Sequence, residues 1–190
     1  MVEFGGRFGG IWQGSRRGMD ADIHHSWQES LTDRTPGPLL GWEFTDRGQY
    51  CVIASGVLSI SSGDLSKPEW HHVGWHEIER GSFDGDTLTL RWTRYDTEPE
   101  EVRLDKPGRV AQLFRERVAA SIAVEQFVPI SEERPDRGVI ISGRRDLSRP
   151  DAPIQWRASA SKGLDWQTPG VRELAEQAIE RLRNEYDPDR

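Results

Sequence analysis

The stretch Trp70–Trp92, WHHVGWHEIERGSFDGDTLTLRW, places three histidines within six residues and follows them with a turn and an alternating run. In that run Leu88, Leu90 and Trp92 alternate with Thr89 and Arg91, the period of two that marks a half-buried strand. Asp84-Gly85-Asp86 supplies the preceding turn. The first half, Glu69 to Phe83, reads as one continued strand in which Trp70, Val73, Trp75 and Ile78 belong to the core. On such a strand His72 and His76 share one face and His71 points away. Two imidazoles on a face do not make a zinc site, which takes three or four ligands. The other candidate ligands, His24, His25 and Cys51, are remote in sequence. The stretch therefore predicts β structure with histidines as fold residues, and no metal.

Outward from this stretch the same period continues. Upstream, LLGWEF, GQYCVIAS and GVLSIS from Leu39 are separated by the turn signals Asp46-Arg47-Gly48 and Ser55-Gly56, which predicts an antiparallel meander. Downstream, EEVRLD supplies a further short strand, and Asp105-Lys106-Pro107 then offers an N-cap with proline in the first turn. Val110, Leu113, Phe114 and Val118 follow at helical spacing, with Ile122 as a candidate continuation. Further strands are expected around Ile122–Ile130, GVIISGRR and PIQWRASA. A last helix begins at Thr168-Pro169, its apolar face marked by Val171, Leu174, Ala175, Ala178, Ile179, Leu182 and Tyr186. The expected domain layout is a flexible or loosely docked N-terminal arm over 1–37, a strand-rich body with its covering helix over 38–121, and a strand and helix extension over 122–190. The extension is under 70 residues without a Gly/Ser linker before it, so it is expected to pack on the body as one cooperative unit.

Composition narrows the function classes. A net charge of -7 provides no overall field for nucleic acid or an anionic membrane. No apolar run approaches the ~20 residues of a membrane span, and the N-terminus lacks the basic, apolar and small-residue order of a secretory leader. A cytoplasmic protein is expected. Cys51 is the single cysteine and has no disulfide partner within the chain.

The order of strands and helix from Leu39 to Ala120 resembles the bacterial pleckstrin-homology-like (PH-like) domain. GWHEIERGSFDGDTLTLRW, LFRERVAASIAVEQFVPI, GVIISGRRD and IQWRASASKGLDWQTPGV are similar to an uncharacterised actinobacterial family carrying that domain with a C-terminal extension. The likeness covers about three quarters of the chain. It implies an α+β fold: an antiparallel seven-stranded PH-like β-barrel capped by an amphipathic helix, with a C-terminal β-hairpin and helix. It implies no activity. The excess of arginine over lysine, with Lys67, Lys106 and Lys162 the only lysines, fits a GC-rich genome.

Catalytic signatures are missing from the sequence. There is no GxSxG elbow, no phosphate loop and no GxGxxG between a strand and a helix, and Gly5 to Gly10 (GGRFGG) precedes no helical pattern. No catalytic, cofactor or metal residues are assigned. Charge is uneven, with nine acidic residues against four arginines between Glu77 and Asp105, and six arginines against three aspartates between Arg134 and Arg157. Arg144 and Arg145 at a strand end, with Arg149, are candidate contacts for an anion or partner, because a guanidinium meets a carboxylate or phosphate as a fork. Internal pairing of these arginines, or pairing with a second subunit, is the competing reading. The expected function is a non-catalytic binding or scaffolding module for a protein or peptide partner, possible self-association included. The alternative is a small-ligand-binding or hydrolytic protein with a pocket between the barrel and the Arg-rich C-terminal hairpin. The acidic balance and the absence of a lysine-rich loop argue against lipid headgroups.

Overall fold

A computed structural model describes residues 18–95, 97–106 and 108–187. The meander expected from Leu39 onward forms β1 (Leu39–Phe44), β2 (Tyr50–Ala54), β3 (Val57–Ser62) and β4 (Glu69–Gly74), joined in that order into one antiparallel sheet. A second sheet contains β5 (Ile78–Asp84), β6 (Thr89–Arg94) and β7 (Glu100–Arg103). Helix α2 (Val110–Ser121) follows and runs without a linker into β8 (Ile122–Pro129). β8, β9 (Gly138–Arg144) and β10 (Gln155–Ala160) make a third sheet in the order β10-β9-β8, and α3 (Val171–Tyr186) ends the described chain.

The fold is α+β, but the expected seven-stranded barrel does not form. The sheets are separate, with four, three and three strands, and none closes on itself. The reason lies in the stretch read as one long strand. At Gly74 the chain leaves β4 and makes a 3-10 turn over Trp75–Glu77, pinned by the Gly74 N–H donating to Glu77 Oε1 at 3.0 Å. No β4–β5 ladder forms across that turn. At the other corner only the isolated bridge between Thr45 and Leu104 joins β1 to the end of β7.

The first two sheets nevertheless enclose a shared core of Cys51, Ile53, Leu58, Val73, Trp75, Ile78, Leu90, Trp92 and Leu104, covered by Val110, Leu113 and Phe114 of α2. Phe114 packs edge-on against Trp75 and at a tilt against Trp92, at ring separations of 6.0 and 6.3 Å. Gly81 on β5 permits this approach, since a Cβ there would lie 2.7 Å from the Phe114 ring. Asp105 does not cap α2; the N-cap is Arg109, which makes no side-chain capping bond.

Val52, with the partly buried Trp42 packed against it, belongs to another core on the outer face of the first sheet. There helix α1 (Ala21–Glu29), within the span read as an arm, buries Ile23 and Trp27 against Tyr50, Val52 and Val57. Asp20 caps it by accepting the Asp22 N–H at 2.8 Å. Phe4, Phe8, Ile11 and Trp12 lie outside the described residues. A third core joins Val139, Ile141 and Trp156 of the last sheet to Val171, Ala175, Ala178 and Leu182 of α3. No helix among the described residues is long and apolar enough to cross a membrane.

Candidate functional site

The three histidines of the opening stretch go to three different places. His71 pairs across the ladder with Ile60 and shares its inward face, so it stands between the first two sheets. Its Nε2 lies 3.4 Å from Glu100 Oε2 on the facing sheet, and Arg94 Nε donates to Glu100 Oε1 at 2.6 Å. His72 points outward beneath α1. His76, displaced by the 3-10 turn, is buried at the edge of the C-terminal region beside Asp146. The strand alternation that would set His72 and His76 on one face is thus broken at Trp75, and no group of three or more potential metal ligands occurs among the described residues.

His72 lies in a chain of hydrogen bonds whose directions follow from geometry. Ser30 Oγ is 2.6 Å from the Trp27 carbonyl oxygen and must donate to it. His72 Nε2 therefore carries the proton and donates to Ser30 Oγ at 3.0 Å. His72 Nδ1 then accepts from Ser59 Oγ at 2.8 Å, and Ser59 Oγ accepts the Trp27 indole N–H at 2.9 Å. Burial, with a smaller contribution from Arg34, holds the imidazole neutral, its pKa lowered to about 4. This polarity excludes Ser30 as a nucleophile activated by His72, because the nitrogen facing Ser30 is a donor and not a base. The relay fastens α1 to the sheet.

His71 borders a cleft. It is an open cavity of about 660 Å³ at the mouth between the first two sheets, within the size range of ligand pockets. Ile60 and His71 line it from one sheet, Trp92, Glu100 and Val102 from the other, and the β1–β2 turn with Arg47 forms its rim. Trp92 is 3% exposed, and its buried indole N–H has no acceptor among the described residues. Buried donors left unpaired are uncommon and costly. The rim mixes Asp46, Glu101, Arg47 and Arg103, so it presents both signs of charge.

The arginines singled out in the sequence lie elsewhere. Arg144 is buried, donating from Nη1 to Ser121 Oγ and from Nη2 to the Glu79 carbonyl, each at 3.0 Å. Arg149 donates from Nε to Asp146 Oδ2 at 2.7 Å. Arg145 is exposed, and its side chain makes no hydrogen bond or ion pair among the described residues. None of the three lines the cleft, nor does any residue after Arg103. Trp92 was legible as a core residue; its unpaired N–H was not, since only the facing strands reveal which acceptors are missing. Comparison with protein-family models, with curated proteins and with solved structures finds no match to this chain.

Proposed function

We propose that the protein is a cytoplasmic, non-catalytic binding module that takes a polar segment of a protein or peptide partner into the cleft between its first two sheets. The observation that carries this reading is the open cavity of about 660 Å³ itself, with His71 and Ile60 on one wall and Trp92, Glu100 and Val102 on the other. A peptide offers a carbonyl acceptor at every residue, and the mixed charge of the rim suits a partner carrying both donors and acceptors. The size of the cavity equally favours a small polar ligand as the second reading. Hydrolysis gains no support, given the direction of the Ser30–His72 hydrogen bond. The overall charge of -7 weighs against nucleic acid and anionic lipid. The resemblance to the uncharacterised actinobacterial family stays part of this proposal and adds no reaction to it.

The test is a nitrogen-15 spectrum of the tryptophan side chains, with the Trp92 signal assigned by Trp92→Phe, recorded during titration with a library of short blocked peptides. The Trp92 indole N–H should move with binding, together with the imidazole of His71. Binding that shifts only signals outside the cleft, or a library without any ligand that moves Trp92, overturns the reading.

A further inference from the structure

The outer face of the first sheet is covered unevenly. Alternation puts Trp42 and Phe44 of β1, Tyr50 and Val52 of β2, and Trp70 and His72 of β4 on that face. Helix α1 lies over one half, burying Ile23 and Trp27 against Val52 and Val57 and closing on His72 through Ser30. The other half is aromatic. The centre of the Tyr50 ring is 4.9 Å from that of Phe44, 5.6 Å from Trp42 and 6.2 Å from Trp70. Tyr50 in the middle is buried, whereas Trp42, Phe44 and Trp70 are only half-buried. Single exposed apolar side chains are ordinary, but contiguous aromatic ones mark a contact surface.

The described chain begins at this patch. Met19 packs against the same cluster, and the Asp20 carboxylate is near enough to the Tyr50 hydroxyl to add to the effect of burial in raising its pKa. Residues 1–17 therefore lead directly onto the aromatic half of the face. Their composition suits it: Phe4, Phe8, Ile11 and Trp12 stand among the glycine pairs Gly5-Gly6 and Gly9-Gly10. Arg7, Arg16 and Arg17 stand against the single acidic Glu3, in a chain whose net charge is -7. Asp20 and Asp22 at the start of α1 supply the opposite charge. Length suffices as well. The chain from Trp12 to Met19 spans up to ~23 Å when extended, against ~14 Å across a four-stranded sheet.

We propose that the aromatic half of the outer face is the docking site of the chain's own segment 4–12, whose Phe8, Ile11 and Trp12 cover Trp42, Phe44 and Trp70. Docking removes two sets of apolar surface from water at once. The glycine pairs let the backbone approach the rings closely, and Arg7 brings a guanidinium of the kind that stacks on aromatic faces. The tether selects this occupant over a second copy. A short linker gives an effective concentration on the order of millimolar, so the attached segment fills the site before a separate molecule does.

Because Cys51 is buried, a nitroxide placed on Glu3→Cys in the full chain labels one site. The indole N–H signals of Trp42 and Trp70, assigned by Trp42→Phe and Trp70→Phe, should lose most of their intensity and regain it when the nitroxide is reduced. That of Trp156 in the third core should keep its intensity throughout. Adding Phe8→Ser and Trp12→Ser should abolish the broadening. A mixture of nitroxide-bearing protein at natural isotope abundance with nitrogen-15 protein lacking the nitroxide should show none. Undisturbed Trp42 and Trp70 signals in the labelled chain overturn the proposal, as does broadening that survives the two serines. Broadening in the mixed sample overturns it too, and gives the face to a second copy instead.

Discussion

Trp27 on α1 donates its indole N–H to Ser59 Oγ on β3 at 2.9 Å, and both residues are buried. That bond ties the helix to the sheet beneath it, and the ring itself is 1% exposed. Trp27→Ala should therefore destabilise the protein by roughly 3–5 kcal/mol, the cost of emptying a large aromatic site. Trp27→Phe keeps most of the packing and should lose less, chiefly the hydrogen bond and the satisfaction of Ser59. Denaturant melts of the two variants read the difference. Unchanged midpoints for Trp27→Ala would show that α1 does not dock in solution.

Acid should loosen the same contact. His72 has its pKa lowered to about 4 in the folded state, below the ordinary imidazole range near ~6.5. Between those values the unfolded chain binds a proton that the folded chain refuses, so stability is complete above the upper value and falls as pH drops towards the lower. His72→Gln should flatten that part of the stability profile. A stability profile measured from pH 7 down to about 4 without any His72-dependent slope would contradict the neutral relay.

Much of this fold is legible in the strand period alone. β1, β2, β3, β6 and the last helix lie where the alternation and the apolar stripe of Leu174, Ala178 and Leu182 put them. The barrel expectation fails at Trp75 and Ile78: three residues apart, they would fall on opposite faces of a continuous strand, and the 3-10 turn over Trp75–Glu77 is what brings both into one core. α1 was hidden for another reason: its buried residues are only Ile23 and Trp27, too few for a stripe, although Asp20 is a recognisable cap. The cleft was not legible at all, since Ile60, His71, Trp92 and Glu100 meet only through the approach of two sheets.

Gly81 tests the approach of α2 to the second sheet. A methyl group there meets Phe114 at 2.7 Å, and Gly81→Ala should cost about 1–3 kcal/mol through overpacking. Phe114→Leu in the same protein should recover part of that loss, because the two sites share one contact. Additive losses in the double variant would place the ring elsewhere.

Arg144, the last residue of β9, and Arg145, the next one, should behave unequally. Arg144→Ala leaves the buried Ser121 Oγ and the Glu79 carbonyl without this donor and should cost about 1–3 kcal/mol. Arg145→Ala should stay within about 0.5 kcal/mol, since its side chain is exposed. Thermal melts of the pair check this ranking; equal effects would mean that Arg144 is not a buried tie.

Cys51 sits at the centre of the first sheet with 0% exposure, and burial pushes its thiol pKa up to about 12. A thiol reagent attacks the thiolate, so in the native state this sulfur is both out of reach and in the wrong ionisation state. Each labelling event then requires the first sheet to open. Because the sequence holds one cysteine, labelling rates taken without any denaturant become a clock for those excursions. The protein carries its own chemical timer for how often its core breathes.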